Sequence, residues 1–210
     1  MTGSVESVAR AAVSIRPAEE SDAAAIAAIY NDAVAHTVAT FDIEPRSIEA
    51  QLRWLRGHVD PYFALVAESS EGTAGWASLS PWSERPAYAG TAEVSVYVDA
   101  PWRGRRVGTR LLGELLERGQ GAGLHSLLAR VADGNPASLR LHEAVGFCTV
   151  GDMREVGWKF GRWVDVRLLQ RILPENGRRF ASGPRGRDPN TRAPPESPGN
   201  ATAHGRSSPP

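Results

Sequence analysis

The sequence contains one cysteine, Cys148, among 210 residues, which excludes an intramolecular disulfide. An excess of charge is also absent, because 24 basic residues balance 24 acidic ones, and no strong field favours nucleic acid or an anionic membrane as a partner. No apolar run approaches the roughly 20 residues that a membrane-spanning helix needs, and residues 1–10 lack the apolar centre of a signal peptide. These absences predict a soluble protein of the reducing cytoplasm.

Several catalytic and metal-binding patterns are missing as well. Four histidines show no metal-ligand spacing, namely His36, His58, His125 and His204. Cys148 has no second cysteine with which to bind zinc. The chain also has neither the strand-turn-helix serine of a hydrolase nor a nucleotide-binding P-loop. We therefore expect no metal and no nucleophilic serine.

The composition predicts one folded domain with loose ends. A hydrophobic fraction of 41% is enough for one sizeable core, which we place in residues 13–174. Residues 1–12 are expected to form a flexible leader. Residues 175–210 hold seven of the 15 prolines and few large apolar side chains. They cannot bury enough surface to offset their chain entropy, so we expect a disordered tail.

Hydrophobic periodicity predicts seven strands and four helices. The predicted strands cover residues 13–16, 62–67, 73–79, 91–98, 125–132, 147–156 and 158–169. The predicted helices cover residues 23–35, 46–56, 107–120 and 137–144. Gly75 interrupts the third strand and indicates a bulge. This order predicts an α+β fold in which a mixed sheet carries helices on both faces.

One central stretch predicts a strand, a basic turn and a helix. Apolar and polar residues alternate in residues 91–98, the period of a strand with two different faces. Gly104 and Gly108 then bracket a turn at the start of an apolar-periodic helix. Three arginines crowd this turn, namely Arg103, Arg105 and Arg106. Because the first N–H groups of a helix are unpaired and carry partial positive charge, the turn is a natural seat for a phosphate group.

This strand, turn and helix resemble the acetyl-CoA pyrophosphate loop of the GNAT acetyltransferases, and the segment from Asn135 to Phe147 is similar to their downstream cofactor-side helix. Further motifs resemble the phosphinothricin and methionine sulfoximine N-acetyltransferase branch, and together they cover roughly residues 13–173. These motifs are Ile15-Arg16-Pro17-Ala18, Ile29-Tyr30-Asn31, the run from Thr91 to Val98, Leu141-His142-Glu143 and the run from Gly157 to Val166. The resemblance implies the GNAT fold, an α+β fold with a mixed, mostly antiparallel sheet.

The resemblance also implies the reaction, in which acetyl-CoA donates an acetyl group to the α-amine of a small amino acid by direct attack. The implied acceptors are phosphinothricin, methionine sulfoximine or methionine sulfone. Two alternatives stay open. One is a GNAT enzyme for another amine, such as a polyamine or a protein N-terminus, and the other is a CoA-binding module without catalysis.

Main-chain and basic groups of the central stretch are implied to hold acetyl-CoA. Backbone N–H groups and arginine side chains of residues 103–108 would bind the pyrophosphate, while the backbone of residues 96–98 would pair with the pantetheine arm. The implied cofactor-binding residues are Val96, Tyr97, Val98, Arg103, Gly104, Arg105, Arg106, Val107, Gly108, Asn135 and Ser138. Asn135 either contacts the cofactor or only caps its helix. This chain has Arg106 where the family has a glycine, and we expect an ordinary helical backbone there.

The resemblance places a carboxylate, Glu93, beside the acetyl group on the central strand. The acceptor ammonium must lose a proton before it attacks, and Glu93 would receive that proton directly or through a water molecule. His142 occupies the position where many family members carry a tyrosine near the cofactor sulfur. Because thiols have a pKa of about 8.5 and imidazole titrates near 6.5, His142 would either protonate the leaving thiolate or only hydrogen-bond the sulfur.

The acceptor-binding residues are predicted to be Arg85, Tyr88, Lys159 and Trp163. Arg85 would pair with the α-carboxylate, and the aromatic rings would enclose the aliphatic part. Trp158, Phe160 and Trp163 have an alternative interpretation as core or dimer-interface residues. The family implies a homodimer with the closing hairpin near the interface.

Overall fold

A computed structural model describes residues 12–175, which contain seven strands. These are β1 (Ser14–Pro17), β2 (Ala64–Ser69), β3 (Gly72–Pro81), β4 (Thr91–Val98), β5 (Ser126–Ala132), β6 (Cys148–Lys159) and β7 (Arg162–Ile172). They form one sheet in the order β1-β2-β3-β4-β5-β7-β6. Neighbouring strands are antiparallel except β4 and β5, which are parallel. The predicted mixed sheet is therefore confirmed.

Helices cover both faces of this sheet. They are α1 (Ala23–His36), α2 (Ile48–Arg56), α3 (Val107–Gly121) and α4 (Pro136–Glu143). On one face, leucines of α3 pack with Ala77 and Leu79 of β3 in a buried cluster. On the other face, Ile26 and Tyr30 of α1 pack with Trp76. Because successive side chains of a strand point to opposite faces, the neighbours Trp76 and Ala77 serve the two clusters separately.

Local sequence explains where the helices begin and which faces they bury. The Ser47 hydroxyl accepts a hydrogen bond from the N–H of Ala50 at 3.2 Å and so caps the first turn of α2. Four leucines at helical spacing form the buried stripe of α3, namely Leu111, Leu112, Leu115 and Leu116. Burial of each such side chain stabilises the fold by roughly 1.5–3 kcal/mol.

The closing hairpin differs from the prediction at its turn. We expected the two strands to meet at Gly157, but β6 continues to Lys159 and the turn lies at Phe160 and Gly161. These two residues have φ values of 51° and 73°, the left-handed conformation that a tight hairpin turn requires. Gly157 instead allows the ring of Phe41 to pack against the strand, because a Cβ at this position would lie 2.1 Å from that ring.

The predicted leader, residues 1–12, and the predicted tail, residues 175–210, lie outside the described residues except for Ala12 and Glu175. Their structure therefore stays a prediction. Within the described range, none of the helices combines the length and the apolar character that crossing a membrane requires. Residues 12–175 also contain no cluster of three or more histidine, cysteine or acidic side chains arranged to bind a metal ion.

A bulge lies beside Gly75, as its position in the strand predicted. Ala67 of β2 pairs with Gly75 of β3, whereas the next residue, Glu68, pairs with Thr73, so Ala74 is an extra residue in the ladder. On the other side of β3, Gly75 pairs with Val98 of β4. The glycine thus lies between a bulge on one side and the central strand on the other.

We expect Gly75→Ala to destabilise the fold by about 1–3 kcal/mol, the usual range for overpacking. The new Cβ would lie 2.7 Å from the carbonyl oxygen of Tyr97 and 3.1 Å from the Cα of Val98, both backbone atoms that cannot rotate away. Chemical denaturation measures the change in the free energy of unfolding. Gly113→Ala on α3 is the matched control, since a Cβ there meets nothing within 4 Å and alanine favours a helix. Equal effects of the two substitutions would contradict the prediction.

Candidate active site

A cleft opens where β4 and β5 separate. The two strands pair only from Thr91–Glu93 to Ser126–Leu128. Beyond these pairs β4 continues to Val98 paired only with β3, while β5 continues along β7. The edge of β4 that faces the gap therefore keeps backbone groups free to pair with an extended ligand. The carbonyl of Val98 is an exception, because it accepts a hydrogen bond from Nε of Arg103 at 3.0 Å. The gap belongs to a cleft of about 1000 Å³.

The cleft collects most of the predicted site residues. Those that line it are Glu93, Val96, Tyr97, Val98, Arg103, Gly104, Arg106, Val107, Gly108, Asn135, Ser138 and His142. The lining does not include Arg105, Arg85, Tyr88, Lys159 or Trp163. The proximity of the first set agrees with a shared site, although the role of each residue stays a prediction.

The turn before α3 has a different backbone from the one we expected. Arg106 immediately precedes the helix with φ 61° and ψ 14°, so the expected helical conformation at this position is wrong. Gly104 has φ 74° as well, and the two left-handed residues reverse the chain into α3. This conformation suits the glycine of the family and costs an L-residue roughly 1–2 kcal/mol. The chain carries that cost at Arg106.

The first turn of α3 presents unpaired N–H groups next to the cleft. No side chain caps this turn in the described structure, and Arg110 donates back to the carbonyl of Arg106 at 3.1 Å. The N–H groups of residues 107–109 precede that first bond and have no partner inside the helix. Arg105 does not line the cleft, and its guanidinium lies 5.0 Å from the ring centre of Trp102.

Asn135 at the start of α4 caps its helix. Its Oδ1 accepts hydrogen bonds from the N–H groups of Ala137 at 3.0 Å and Ser138 at 3.2 Å. Because Asn135 and Ser138 also line the cleft, this cap does not exclude a cofactor contact, which remains predicted for both residues.

Glu93 has an ionic partner that the sequence interpretation missed. Its Oε1 accepts a hydrogen bond from Nε of Arg130 at 2.6 Å, and its Oε2 accepts a second bond from the same guanidinium. Glu93 belongs to β4 and Arg130 to the separated part of β5, and both line the cleft. The hydrogen bonds that Arg130 donates to Glu93 raise the pKa of Arg130. The available signal was an arginine within the otherwise apolar run of β5.

His142 on α4 is buried, with 3% of its surface exposed. Its Nδ1 lies 2.8 Å from the carbonyl oxygen of Ser138, to which the neutral ring donates a hydrogen bond. Burial lowers the pKa of His142 below its ordinary value, which favours the neutral ring. In this tautomer Nε2 is a hydrogen-bond acceptor. The edge of the ring packs against Phe147 at a centroid distance of 5.2 Å.

Acid should destabilise the protein through His142, because the unfolded imidazole binds a proton more readily than the folded one. The free energy of unfolding should therefore fall as the pH drops below about 6.5, by up to about 1.4 kcal/mol per pH unit. Urea denaturation between pH 5 and 8 measures this slope. His142→Gln should reduce this slope, and the part that remains should come from His58, whose pKa burial also lowers. The comparison at pH 8 isolates the effect of packing alone. Parallel curves for the two proteins would refute this origin.

Aromatic and polar side chains of α1, β3, β4 and the connection before α2 form one wall of the cleft. Tyr97 stacks on Trp76 at a centroid distance of 4.7 Å, and Tyr30 meets Tyr97 edge-on at 5.3 Å. The guanidinium of Arg46 lies 4.3 Å from the centre of the Tyr30 ring. Burial and a hydrogen bond to Asp42 raise the pKa of Tyr30 to about 12. The sequence interpretation missed Arg46, which belongs to the connection before α2.

Ser80 and Glu93 are cross-strand neighbours on the same face of the sheet. The Ser80 hydroxyl lies 3.1 Å from Nε2 of His58, whose Nδ1 lies 2.7 Å from the carbonyl oxygen of Trp54. Burial lowers the pKa of His58. In the neutral tautomer His58 donates to Trp54 and accepts from Ser80, which fixes the Ser80 hydroxyl beside Glu93.

None of the four predicted acceptor residues lines the cleft, and only Lys159 bonds a residue of its lining. Lys159 is only 4% exposed, and its Nζ donates to the carbonyl oxygen of Thr40 at 2.8 Å. Thr40 lines the cleft, so Lys159 fixes part of its wall. Arg85 and Tyr88 are exposed in the loop between β3 and β4. Trp163 is exposed on the closing hairpin and contacts Trp158.

Comparison with known proteins identifies the class. A family model for the acetyltransferase (GNAT) domain matches residues 15–168, and the chain therefore belongs to the GNAT acetyltransferase family. It is 40% identical over 159 residues to an L-methionine sulfoximine/L-methionine sulfone acetyltransferase of Pseudomonas paraeruginosa, with 75% of this chain and 92% of that protein covered.

Two further similarities have comparable extent. A phosphinothricin N-acetyltransferase of Streptomyces coelicolor is 40% identical over 167 residues, which cover 78% of this chain and 98% of the relative. The structure of yncA from Salmonella typhimurium, solved with its cofactor acetyl-CoA, matches with a TM-score of 0.77 at 36% identity. That match covers 81% of this chain and 99% of the other. The GNAT fold is confirmed.

Proposed function

We propose that this protein transfers an acetyl group from acetyl-CoA to the α-amine of a small amino-acid analogue. The proposed acceptors are methionine sulfoximine, methionine sulfone or phosphinothricin. The gap between β4 and β5 is the observation that carries the proposal, because it joins a free strand edge, an uncapped helix start and Glu93 in one cleft. The relatives named after these substrates support the choice of acceptor.

The donor groups on the cleft fit acetyl-CoA, which supplies the acetyl group as a thioester. The uncapped start of α3, together with Arg103 and Arg106, suits the pyrophosphate. The edge of β4 at residues 96–98 has no strand beside it and suits the amides of the pantetheine arm, which can pair with it as an added strand. The arm would displace Nε of Arg103 from the Val98 carbonyl if it bonds that group. Arg105 would contribute less, because its guanidinium rests against Trp102.

In the proposed mechanism Glu93 receives the proton that the acceptor ammonium loses, at a carboxylate oxygen and either directly or through a water molecule. Its location on β4 at the point where the gap begins supports this role. The leaving thiolate would take the second proton, which the attacking nitrogen loses as the amide forms. The neutral ring of His142 would then offer Nε2 as a hydrogen-bond acceptor to the resulting S–H group of CoA. Its lowered pKa argues for that role over proton donation.

We also propose a cytoplasmic homodimer that forms through the closing hairpin. Trp158, Phe160 and Trp163 at the tip of this hairpin are each more than half exposed. Exposed aromatic residues that lie together commonly mark an interface, and a second copy of the chain is the occupant that the family suggests. Sedimentation equilibrium measures the association, and a monomer at all concentrations would exclude it.

A thiol-release assay tests the proposed reaction. The purified protein is supplied with acetyl-CoA and a panel that contains the three proposed acceptors, common amino acids, polyamines and a peptide with a free N-terminus. We expect release of CoA with the proposed acceptors and acetylation of their α-nitrogen in mass spectra. Turnover only with polyamines or the peptide would replace the acceptor class. CoA binding without turnover on any amine would indicate a non-catalytic module.

A further inference from the structure

Arg130 and Glu93 form an ion pair in the part of the cleft where the acceptor is proposed to bind. The guanidinium bonds both carboxylate oxygens of Glu93, so the proposed proton acceptor has its oxygens engaged by a group of the protein itself. An incoming ammonium must displace at least one of these bonds to reach Glu93. The ion pair therefore stands in the place where the acceptor has to bind.

A free α-amino acid carries the complementary charges. Its ammonium and carboxylate flank one carbon, so the ammonium can face Glu93 while the carboxylate faces the guanidinium beside it. A guanidinium binds a carboxylate through two parallel hydrogen bonds, and its exchange of one carboxylate for another keeps that geometry. Neither charge is left unpaired when the acceptor replaces the internal bonds.

Arg130 has the freedom for this exchange. Its side chain is 53% exposed, whereas that of Glu93 is 19% exposed, and an ion pair with one exposed partner contributes little to stability. Its guanidinium also lies 5.7 Å from the ring centre of Trp82, a face against which it can slide. Arg46 is more restrained, since it bonds Asp42 and Gln51 and covers Tyr30.

We propose that Arg130 selects the acceptor by moving from Glu93 to the acceptor's α-carboxylate. This inference rests on the proposed function and adds a residue that sets specificity. An amine without that carboxylate leaves Arg130 hydrogen-bonded to Glu93. Such an amine binds weakly, and the carboxylate oxygens of Glu93 are not available to accept its proton. Acceptors should therefore be zwitterionic amino acids, and neither polyamines nor carboxamides.

The test compares methionine sulfone with its carboxamide, which keeps the amine and loses the acid. For the unaltered protein we expect kcat/KM to favour the acid by about 10-fold or more, the range for one lost charge-assisted hydrogen bond. In Arg130→Gln this preference should nearly vanish, because the KM for the acid rises while the rate with the carboxamide stays equal or increases. Arg130→Lys should keep part of the preference. Arg154→Gln, an exposed arginine on β6, is the control and should keep all of it.

A purely structural role for Arg130 predicts another result. If Arg130 only orients Glu93, both acceptors lose the same factor in Arg130→Gln, and the proposal is overturned. Calorimetric titration of both ligands into the CoA-bound protein gives a readout that needs no turnover. Tighter binding of the acid than of the carboxamide, lost in Arg130→Gln, would support the inference even if no acetyl transfer occurred. The lack of acetyl transfer would contradict only the proposed reaction. Equal binding of the two ligands by the unaltered protein would overturn the inference alone.

Discussion

Replacement of Glu93 by glutamine is expected to lower kcat by about 10²- to 10⁴-fold, the usual contribution of a positioned general base. Glutamine keeps the size of the side chain and an oxygen that can accept from Arg130, but its amide cannot take the proton of the acceptor ammonium. Steady-state rates of CoA release with methionine sulfoximine measure the change. Because the ammonium deprotonates in solution at high pH, the deficit of the variant should shrink as the pH rises.

Two controls separate this chemical effect from a loss of structure. The dissociation constant for CoA should be unchanged in Glu93→Gln, since the residue lies at the acceptor end of the cleft. Glu117→Gln, on the exposed face of α3, should keep the full rate. A Glu93→Gln protein with normal turnover would show that another group, or bulk solvent, accepts the proton. The hydrogen-bonded pair Ser80 and His58 would then be the nearest candidate.

The double variant Arg103→Gln and Arg106→Gln is expected to weaken CoA binding by about 100-fold or more. Each arginine lines the cleft at the start of α3, and a hydrogen bond to a charged group contributes about 1.5–3 kcal/mol. Two such losses multiply in the dissociation constant. Isothermal titration with CoA at fixed ionic strength measures the effect.

A ligand without phosphates provides the sharpest control for this second prediction. Binding of acetyl-pantetheine should change much less than that of CoA in the double variant, because it lacks the pyrophosphate. The loss of Arg103 also frees the Val98 carbonyl on β4, which this ligand can then bond. Arg110→Gln changes an exposed arginine one turn further along α3, outside the cleft lining, and should affect neither ligand. Equal weakening of CoA and acetyl-pantetheine would assign the two arginines to the fold of the turn and remove them from phosphate binding.

The regular elements were the predictable part of this molecule, because their signals are local. The leucine spacing of α3 and the alternation of β4 each follow from contacts within one element, and both elements lie where expected. The backbone at Arg106 was not predictable from local preference, since arginine disfavours the left-handed region. The family's glycine was the better guide to the conformation at that position.

The polar contacts of the site were largely unpredictable for a different reason. The bond between Glu93 and Arg130 depends on the register of two parallel strands that lie 37 positions apart, and no local pattern encodes that register. The hairpin turn was missed because Phe160, an aromatic residue, has a left-handed backbone. In the same way, the buried Lys159 has its partner Thr40 at a distance of 119 positions along the chain.

Lys159 connects the closing hairpin to the wall of the cleft. Lys159 ties the carbonyl of Thr40 to the closing hairpin, and the Phe41 ring next to it rests on Gly157 of the same strand. A second subunit bound to the tip of this hairpin would therefore reduce the mobility of the cleft wall at Thr40, against which the acceptor would pack. Affinity for the acceptor would then rise with protein concentration. Dilution that separates the dimer would increase the dissociation constant of the acceptor.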